Sequence, residues 1–422
     1  AAADNSNSYS LSSVLRDGTT TVSNPMGRPI NWTGGYTASA NNPAQVSTRW
    51  LYAYINNPAE DYYEWEYIGN SGTIPIGLGY TMKGSGNAGA TQNYVYVGKP
   101  NNGSISTPIG ATRQSLVGNP YPSAIDSREF IMDNGPSGTN SITGTLYFWE
   151  HYTSNATHVT ELYEGGYAAL NFTGGVGAVQ HPDLIISNNG TKIPERYIPV
   201  GQGFFVEAGA IASDVVFNNS QRVFKTEAYT ADSYEGSVFV RNSNQANRSE
   251  DIIKRIRLRF TSPEGGKRPL LLGFVSNGDA TDGLDWAYDG KNNDESTDSD
   301  LSWIIDDNRY VIQGVGEFDV TKQYPLGMFL TTNGDIKIEL TDLENFESDI
   351  DVFIYDSLMG TYTQINDSAY EMAMDAGEYL DRFFVTFQSE SLSVDEFETD
   401  DESDLLVNYL NNSGEIYINV PY

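Results

Sequence analysis

The chain has 422 residues, of which 39% are hydrophobic and 12% are aromatic. It is long enough for two or three domains and too apolar to be disordered. Its 24 Lys and Arg against 56 Asp and Glu give a net charge of −32, which argues against binding to nucleic acids or anionic membranes. The absence of cysteine excludes disulfides and thiolate metal sites. No apolar run is long enough to form a transmembrane helix.

The first 236 residues contain an internal repeat. The segment Ile74–Met82 recurs 124 residues later as Ile198–Val206, and both copies carry a Gly-x-Gly pattern before an aromatic residue. Glycines at the start of a strand suit a bulge or a close approach of two backbones. We therefore predict an N-terminal β region, residues 1–236, in which the two copies occupy equivalent positions.

Residues 237–388 show a clearer alternation of apolar and polar side chains. In Arg255–Phe260 the even-numbered residues are apolar and the odd-numbered ones are arginines, and Ile336–Leu340 and Phe383–Phe387 show a similar period of two. Half-buried antiparallel strands produce this pattern. The sequence thus predicts an all-β protein with two successive β-sandwich or jelly-roll-like domains, the second spanning residues 237–388, and places the arginines on a solvated face.

The end of the chain is acidic. Residues 389–413 are rich in Asp and Glu, and no Lys or Arg follows Arg382. This composition is typical of a solvated linker. The alternating segment 414–422 is expected to be the start of a further, truncated C-terminal domain. Because the first residues lack the features of a signal peptide, we expect that a signal was removed or that the sequence is an internal fragment.

Sequence signatures of catalysis are missing. There is no zinc-protease, nucleophile-elbow or phosphate-loop motif, and the three histidines, His151, His158 and His181, do not have the spacing of a common zinc site. We therefore predict no catalytic residues and no enzyme. A glycosidase that uses only two carboxylates remains an alternative, because with 56 acids the sequence does not single out a pair.

An acidic segment between Asn277 and Asp300 is the candidate metal site. It carries four regularly placed aspartates, and glycines nearby permit sharp turns. Calcium requires six to eight oxygen ligands, and it would relieve the repulsion between the carboxylates. The competing interpretation is a solvated acidic loop, since the spacing is not that of an EF-hand. The predicted calcium ligands are Asp279, Asp282, Asp285 and Asp289.

Aromatic residues alternate with acids in Asp61–Tyr67. An exposed ladder of Tyr63, Trp65 and Tyr67 could stack against sugar rings, as in carbohydrate-binding modules. Core packing is the competing explanation, because alternating aromatics usually fill a β-sheet interior.

Three segments carry a resemblance to a known family. Leu116–Asp126 contains Gly-Asn-Pro-Tyr-Pro-Ser-Ala-Ile-Asp, residues 203–222 contain Gly-Phe-Phe-Val followed by Phe-Asn-Asn-Ser-Gln-Arg, and Gly377–Phe383 contains Gly-Glu-Tyr and Arg-Phe. They resemble segments of large surface proteins that gliding and surface-dwelling Gram-negative bacteria export by the type IX secretion system. The resemblance implies an extracellular or surface-attached protein whose following C-terminal domain engages the secretion machinery. It supplies no catalytic residue.

Two functions follow from these observations. The first is a non-catalytic structural or adhesive region of a large bacterial cell-surface protein, with glycans or other surface ligands as partners. The alternative is a carbohydrate-binding module or a carboxylate-dependent polysaccharide hydrolase.

Overall fold

The structure is a computed structural model. It describes residues 8–38, 43–54, 65–85, 92–109, 112–151, 165–179, 190–210, 213–225, 253–293, 299–389, 406–410 and 415–419. The protein is mostly β, with 47% strand and 6% helix, which confirms the all-β prediction in its general form. Residues 1–387 form one compact unit and residues 388–422 form a second. The boundary predicted near residue 236 lies in 226–252, outside the described residues.

The N-terminal part of the first unit is built from many short strands. They are β1 Ser8–Tyr9, β2 Leu15–Arg16, β3 Asn31–Thr33, β4 Gln45–Ser47, β5 Tyr52–Tyr54, β6 Trp65–Tyr67, β7 Ile74–Pro75, β8 Val95–Tyr96, β9 Ile105–Ile109, β10 Gln114–Gly118, β11 Ala124–Asp126, β12 Ile142–His151, β13 Gly165–Leu170, β14 Gly175–Val176, β15 Tyr197–Ile198, β16 Gly203–Ala208, β17 Ser213–Phe217 and β18 Arg222–Val223. Two α-helices, α1 Leu11–Val14 and α2 Ser127–Asn134, and 3-10 turns at Thr48–Trp50 and Asn219–Gln221 complete it.

A five-stranded sheet, ordered β10-β16-β12-β13-β14, forms the centre of this part. Consecutive residues in its strands are apolar and buried, so both faces of the sheet are buried. Val117 and Phe204 join one core together with Phe130 of α2. Leu116 and Phe205, one position away on the same strands, join the core of the C-terminal part. The sheet is therefore a middle layer between two cores.

Helix α2 begins directly after its cap residue, Asp126. The Oδ1 atom of Asp126 accepts a hydrogen bond from the backbone N–H of Arg128 at 3.0 Å. The same carboxylate binds the guanidinium of Arg196, with Nε–Oδ2 and Nη2–Oδ2 distances of 2.9 and 2.7 Å. Asp126 thereby fixes the helix start and connects it to the segment that precedes β15.

The C-terminal part of the first unit is one large sheet. Its strands are β19 Lys254–Thr261, β20 Lys267–Phe274, β21 Gly290–Lys291, β22 Asp300–Ile305, β23 Asn308–Val315, β24 Gln323–Leu330, β25 Gly334–Glu344, β26 Phe353–Asp356, β27 Thr361–Gln364, β28 Tyr370–Met374 and β29 Gly377–Thr386. Ten of them follow the order β27-β26-β29-β24-β22-β23-β20-β19-β25-β28, and β21 pairs with β23 off this path. The sheet curls into a nearly closed barrel-like form.

This topology differs from the predicted sandwich for residues 237–388. A sandwich needs two facing sheets, whereas here the described strands join one hydrogen-bonded path. The even-numbered side chains of β19, Ile256, Leu258 and Phe260, are at most 1% exposed and contribute to the core of this sheet. The alternation therefore identified the strands and their apolar face. It did not specify whether that face closes on a second sheet or on the same one.

The arginine face of β19 is solvated only in part, because Arg259 is exposed as predicted whereas Arg255 and Arg257 are covered. Arg255 is 6% exposed, and its Nε donates to the backbone carbonyl of Thr173. Arg257 donates to the carbonyl of Gly175 at 2.7 Å and to the carboxylate of Glu344 at 2.6 Å. The backbone at Thr173 and Gly175 thus covers these two arginines and accepts hydrogen bonds from their guanidinium groups.

The described part of the second unit is a pair of antiparallel strands, β30 Leu406–Leu410 and β31 Glu415–Asn419. A strand at 415–419 agrees with the alternating pattern there, but 406–410 falls within the predicted linker. The acids of the predicted linker end at Asp404, and the Leu-Val-Asn-Tyr-Leu at 406–410 is a mostly apolar run of strand length. Among the residues that the structure describes, no helix is long and apolar enough to cross a membrane.

Candidate functional site

A cleft of about 550 Å³ opens in the N-terminal part of the first unit. Tyrosines, aliphatic side chains and the backbone of several turns line it. The aromatic members are Tyr9, Tyr80, Tyr94, Tyr96 and Tyr121. Clefts of this size with an apolar lining and a few polar groups commonly bind small molecules.

The two copies of the sequence repeat form one wall of this cleft. Both contain a short strand, Ile74–Pro75 or Tyr197–Ile198, followed by a turn with a glycine of positive φ, +88° at Gly77 and +73° at Gly201. The turns close with matching hydrogen bonds, from the Leu78 N–H to Pro75 O at 3.2 Å and from the Gln202 N–H to Pro199 O at 3.3 Å.

The two turns flank the same strand. Gly203 pairs with Gly118 on one side of β10, and on its other side Leu78 forms an antiparallel bridge with Val117. Beyond this point the copies differ, because the second continues as strand β16 whereas the first has only that isolated bridge. The repeat thus places two similar turns on opposite sides of β10, at its C-terminal end.

The Asn-Pro-Tyr turn that follows β10 forms the adjoining wall. Asn119 is 7% exposed, and its Nδ2 donates to the carbonyls of Ser123 at 2.8 Å and Pro199 at 3.0 Å. Its Oδ1 accepts the N–H of Tyr121 at 3.0 Å. The buried Tyr121 ring then donates from its hydroxyl to the carbonyl of Gly103 at 2.6 Å. The Gly-Asn-Pro-Tyr-Pro-Ser segment, residues 118–123, on which the family resemblance chiefly rests, therefore stabilises the cleft wall through these hydrogen bonds.

Two tyrosine hydroxyls meet inside the cleft. The hydroxyls of Tyr80 and Tyr96 form a hydrogen bond with each other, and Tyr9 belongs to the same lining. Burial raises the pKa of Tyr9 and of Tyr80 well above the ordinary value. Both phenols are consequently neutral hydrogen-bonding groups at physiological pH.

The lining is nearly uncharged. It includes Lys99 and Asn101, and among the described lining residues there is no Asp or Glu. Tyr96 is 45% exposed and Val200 is 50% exposed, so an aromatic and an aliphatic side chain remain accessible at the site. In a chain with a net charge of −32, this patch lacks the negative charge of the surface as a whole.

In the structure, each of the four predicted calcium ligands makes polar contacts with other groups of the protein. Asp279 accepts the hydroxyl of Tyr288 at 3.2 Å, and Asp282 pairs with Lys322 Nζ at 2.6 Å. Asp285 accepts the hydroxyl of Thr281 at 2.9 Å. Asp289 is buried and contacts this loop, since its Oδ2 accepts the Asp285 N–H at 2.6 Å. Within the described residues, no three His, Cys, Asp or Glu side chains are grouped so as to hold a metal ion.

The same loop is anchored by its aromatic residues. The Trp286 Nε1–H donates to the carbonyl of Ile142 at 3.0 Å, and its ring packs edge-on against Phe172. Asp289 Oδ1 accepts the N–H of Gly314 at 2.8 Å. Asp289 thus connects the loop to strand β23, which is a structural role for a predicted calcium ligand.

Asp289 should make stability depend on pH. Burial raises its pKa from 3.8 to about 7, against the opposing effect of the backbone hydrogen bonds it accepts. Between these two values the folded protein binds more protons than the unfolded chain, so stability should fall as pH rises. The difference between the pKa values limits this effect to about 4 kcal/mol.

Replacing Asp289 with Asn is expected to weaken the pH dependence of the free energy of unfolding between these two pKa values. Urea unfolding at several pH values between the two pKa values measures the slope directly. The exposed Asp282→Asn provides the matched control and should leave the slope unchanged. An Asp289→Asn protein with the wild-type slope would show that another group is responsible.

The other candidates from the sequence that the structure describes are not among the residues that line the cleft. Trp65 packs edge-on against Tyr54 and Phe205 with centroid distances of 5.0 and 6.1 Å, as the core-packing explanation requires. Tyr67 is 56% exposed. Tyr63 falls outside the described residues, as do His158 and His181. His151 ends strand β12 on an exposed position.

Sequence reasoning did not identify the cleft. Its tyrosines come from four separate segments, and only the fold brings them together. One signal was available, since Tyr80 follows the Gly-x-Gly of the first repeat and Tyr121 lies in the Asn-Pro-Tyr turn. From the sequence alone, nothing indicates that Tyr80 and Tyr121 line the same cleft.

The structure is that of a β-rich protein with a barrel-like sheet and an aromatic, nearly uncharged cleft. Residues 29–387 match the family described as a domain of unknown function, DUF8693, and the chain belongs to this family. The match ends at the residue where the first compact unit ends. The searches of curated proteins and of solved structures gave no match.

Proposed function

We propose that this chain is a non-catalytic, extracellular structural or adhesive region of a large bacterial cell-surface protein, exported by the type IX route. The family-like segments support this proposal through the way their polar side chains are used. Asn119 holds backbone carbonyls, Asp126 caps a helix and binds Arg196, and Ser123 Oγ accepts Arg222 Nε at 3.2 Å. These groups build a scaffold, and the single observation that carries the proposal is the buried Asn119 network.

A turnover assay tests the non-catalytic part. The purified 422-residue chain is incubated with plant, algal and bacterial polysaccharides, and released sugars are quantified. No product above a heat-denatured control is expected. Reproducible product release that disappears when one Asp or Glu pair is replaced would overturn the proposal in favour of a hydrolase.

Surface localisation can be tested in the bacterium that makes the protein. Antibodies against the chain should label intact cells, and labelling should be lost when the type IX translocon is inactivated while the protein accumulates inside the cell envelope. Unchanged labelling of cells without that translocon would contradict the export route.

The carbohydrate-binding alternative is favoured by one observation, the tyrosine-lined cleft. The described lining offers phenols and a lysine, with no carboxylate pair. This composition suits binding better than glycoside hydrolysis, which needs an acid and a second carboxylate about the scissile bond.

Calcium binding at Asp279, Asp282, Asp285 and Asp289 is a further proposal. Binding would need Asp282 to exchange Lys322 for the ion, because these two side chains are paired. Millimolar calcium should then raise the melting temperature relative to a chelator, and Asp285→Asn should remove the increase. Equal melting temperatures in calcium and in chelator would refute calcium binding in this loop.

A further inference from the structure

We propose that the tyrosine-lined cleft binds an uncharged saccharide. The inference rests on the adhesive form of the proposed function and gives it a class of ligand. It is carried by the hydrogen-bonded hydroxyls of Tyr80 and Tyr96 and by the neighbouring tyrosines, Tyr9 among them, that line a cleft of about 550 Å³.

The chemistry of the lining matches a sugar on two counts. A tyrosine presents an apolar ring and a polar hydroxyl, and a pyranose presents an apolar C–H face and a rim of hydroxyls. Both phenols and sugar hydroxyls donate and accept hydrogen bonds. In the Tyr80–Tyr96 pair one O–H is used and the other proton is available to a ligand, as are the remaining oxygen lone pairs.

The shape of the wall makes Tyr96 the stacking residue. A Cβ atom placed on Gly201 would lie 3.8 Å from Cε2 of Tyr96, so the ring lies beside the turn of the second repeat. The ring is also 45% exposed, which leaves it accessible to a ligand. Val200, 50% exposed on the same turn, is close to where the ligand would enter.

The electrostatics favour an uncharged ligand. The chain as a whole has a net charge of −32 and repels anions, and Lys99 is the one basic residue among the described lining residues, which include no Asp or Glu. A cation would find no carboxylate among those residues. An uncharged ligand is not repelled by the net negative charge and needs no carboxylate partner.

An aromatic groove can also hold a proline-rich peptide. Such a peptide offers mainly carbonyl acceptors, whereas the paired phenols of Tyr80 and Tyr96 provide both donors and acceptors. The saccharide therefore uses more of the hydrogen-bonding capacity that the cleft contains.

Binding of the full chain to immobilised polysaccharides tests the inference. The probes are laminarin, starch, mannan and xylan as uncharged ligands, alginate as an anionic one and a polyproline peptide as the competing class. Wild-type protein should bind at least one uncharged polysaccharide saturably. Tyr96→Ala should weaken that binding about tenfold or more, the loss expected when a stacking ring is removed.

Three further variants make the result specific. Tyr96→Phe keeps the ring and should lose less affinity than Tyr96→Ala. Val200→Trp occupies the cleft from a half-exposed turn position and should also abolish binding, which decides the question if Tyr96→Ala does not fold. The control Tyr67→Ala removes an exposed tyrosine outside the cleft and should bind as wild type does.

Other outcomes overturn the inference. They are no binding to any uncharged polysaccharide, binding only to alginate or to polyproline, and binding that survives Val200→Trp in a folded protein. Any of these leaves the non-catalytic proposal standing, whereas sugar release in the turnover assay ends that proposal and leaves the binding site intact.

Discussion

Replacing Arg268 with Met is expected to destabilise the folded protein by about 3–5 kcal/mol, the usual result of removing one partner from a buried ion pair. Arg268 and Asp300 side chains are 5% and 2% exposed, and the guanidinium donates to both carboxylate oxygens at 2.7 and 2.9 Å. Without Arg268, the buried Asp300 retains the hydrogen bond from Asn292 but loses its countercharge. Urea unfolding measures the loss.

The double variant Arg268→Met/Asp300→Leu separates two explanations. If the penalty comes from an unpaired buried charge, removing both charges should recover much of the lost stability. If it comes from packing, the double variant should be no better than the single one. Lys337→Met is the exposed control, because the Lys337–Glu339 pair is largely solvated and should contribute little. An Arg268→Met protein as stable as wild type would refute the structural role of the pair.

Asn119→Ala should be the second most damaging substitution, at about 3 kcal/mol. It removes donors to two buried carbonyls and the acceptor for the Tyr121 N–H, and each buried polar group left without a partner costs about 1–3 kcal/mol. Asn119→Asp should be at least as damaging, because it keeps the acceptor, removes both donors and adds a buried charge.

Chemical unfolding together with near-ultraviolet circular dichroism of the tyrosines measures this effect. Asn308→Ala is the matched control, since its side chain makes one exposed hydrogen bond to Asp306 O. The control should lie within about 0.5 kcal/mol of wild type. If Asn119→Ala behaves like the control, the turn does not depend on its side chain.

Much of the strand pattern could be predicted from the sequence. Alternation located β19 and β25 and identified core-facing residues in both, because Ile256, Leu258 and Phe260 in β19 and Ile336 and Ile338 in β25 are buried on one face of their strand. The cap of helix α2 is an equally local feature, because Asp126 accepts the N–H of Arg128 only two residues further on. These successes share one property, which is that the signal lies within a few consecutive residues.

The failures arise where distant segments meet. Alternation showed that Arg255 and Arg257 share a face, but nothing local indicated that the carbonyls of Thr173 and Gly175 would cover it. Tyr9 and Tyr96 likewise come together through the fold. In the acidic loop, the contacts of Asp282 with Lys322 and of Asp279 with the Tyr288 hydroxyl were not predicted either, and calcium binding there stays a prediction.

The near closure of the large sheet has a consequence for self-association. An open sheet offers unpaired backbone N–H and C=O groups at its two sides, where strands of other molecules can add. Here the ends of the path are β27 and β28, of four and five residues, compared with eleven in β25. The short strands leave little template for intermolecular pairing, and the anionic surface adds repulsion between copies. At high concentration the folded chain should stay dispersed and resist fibril formation.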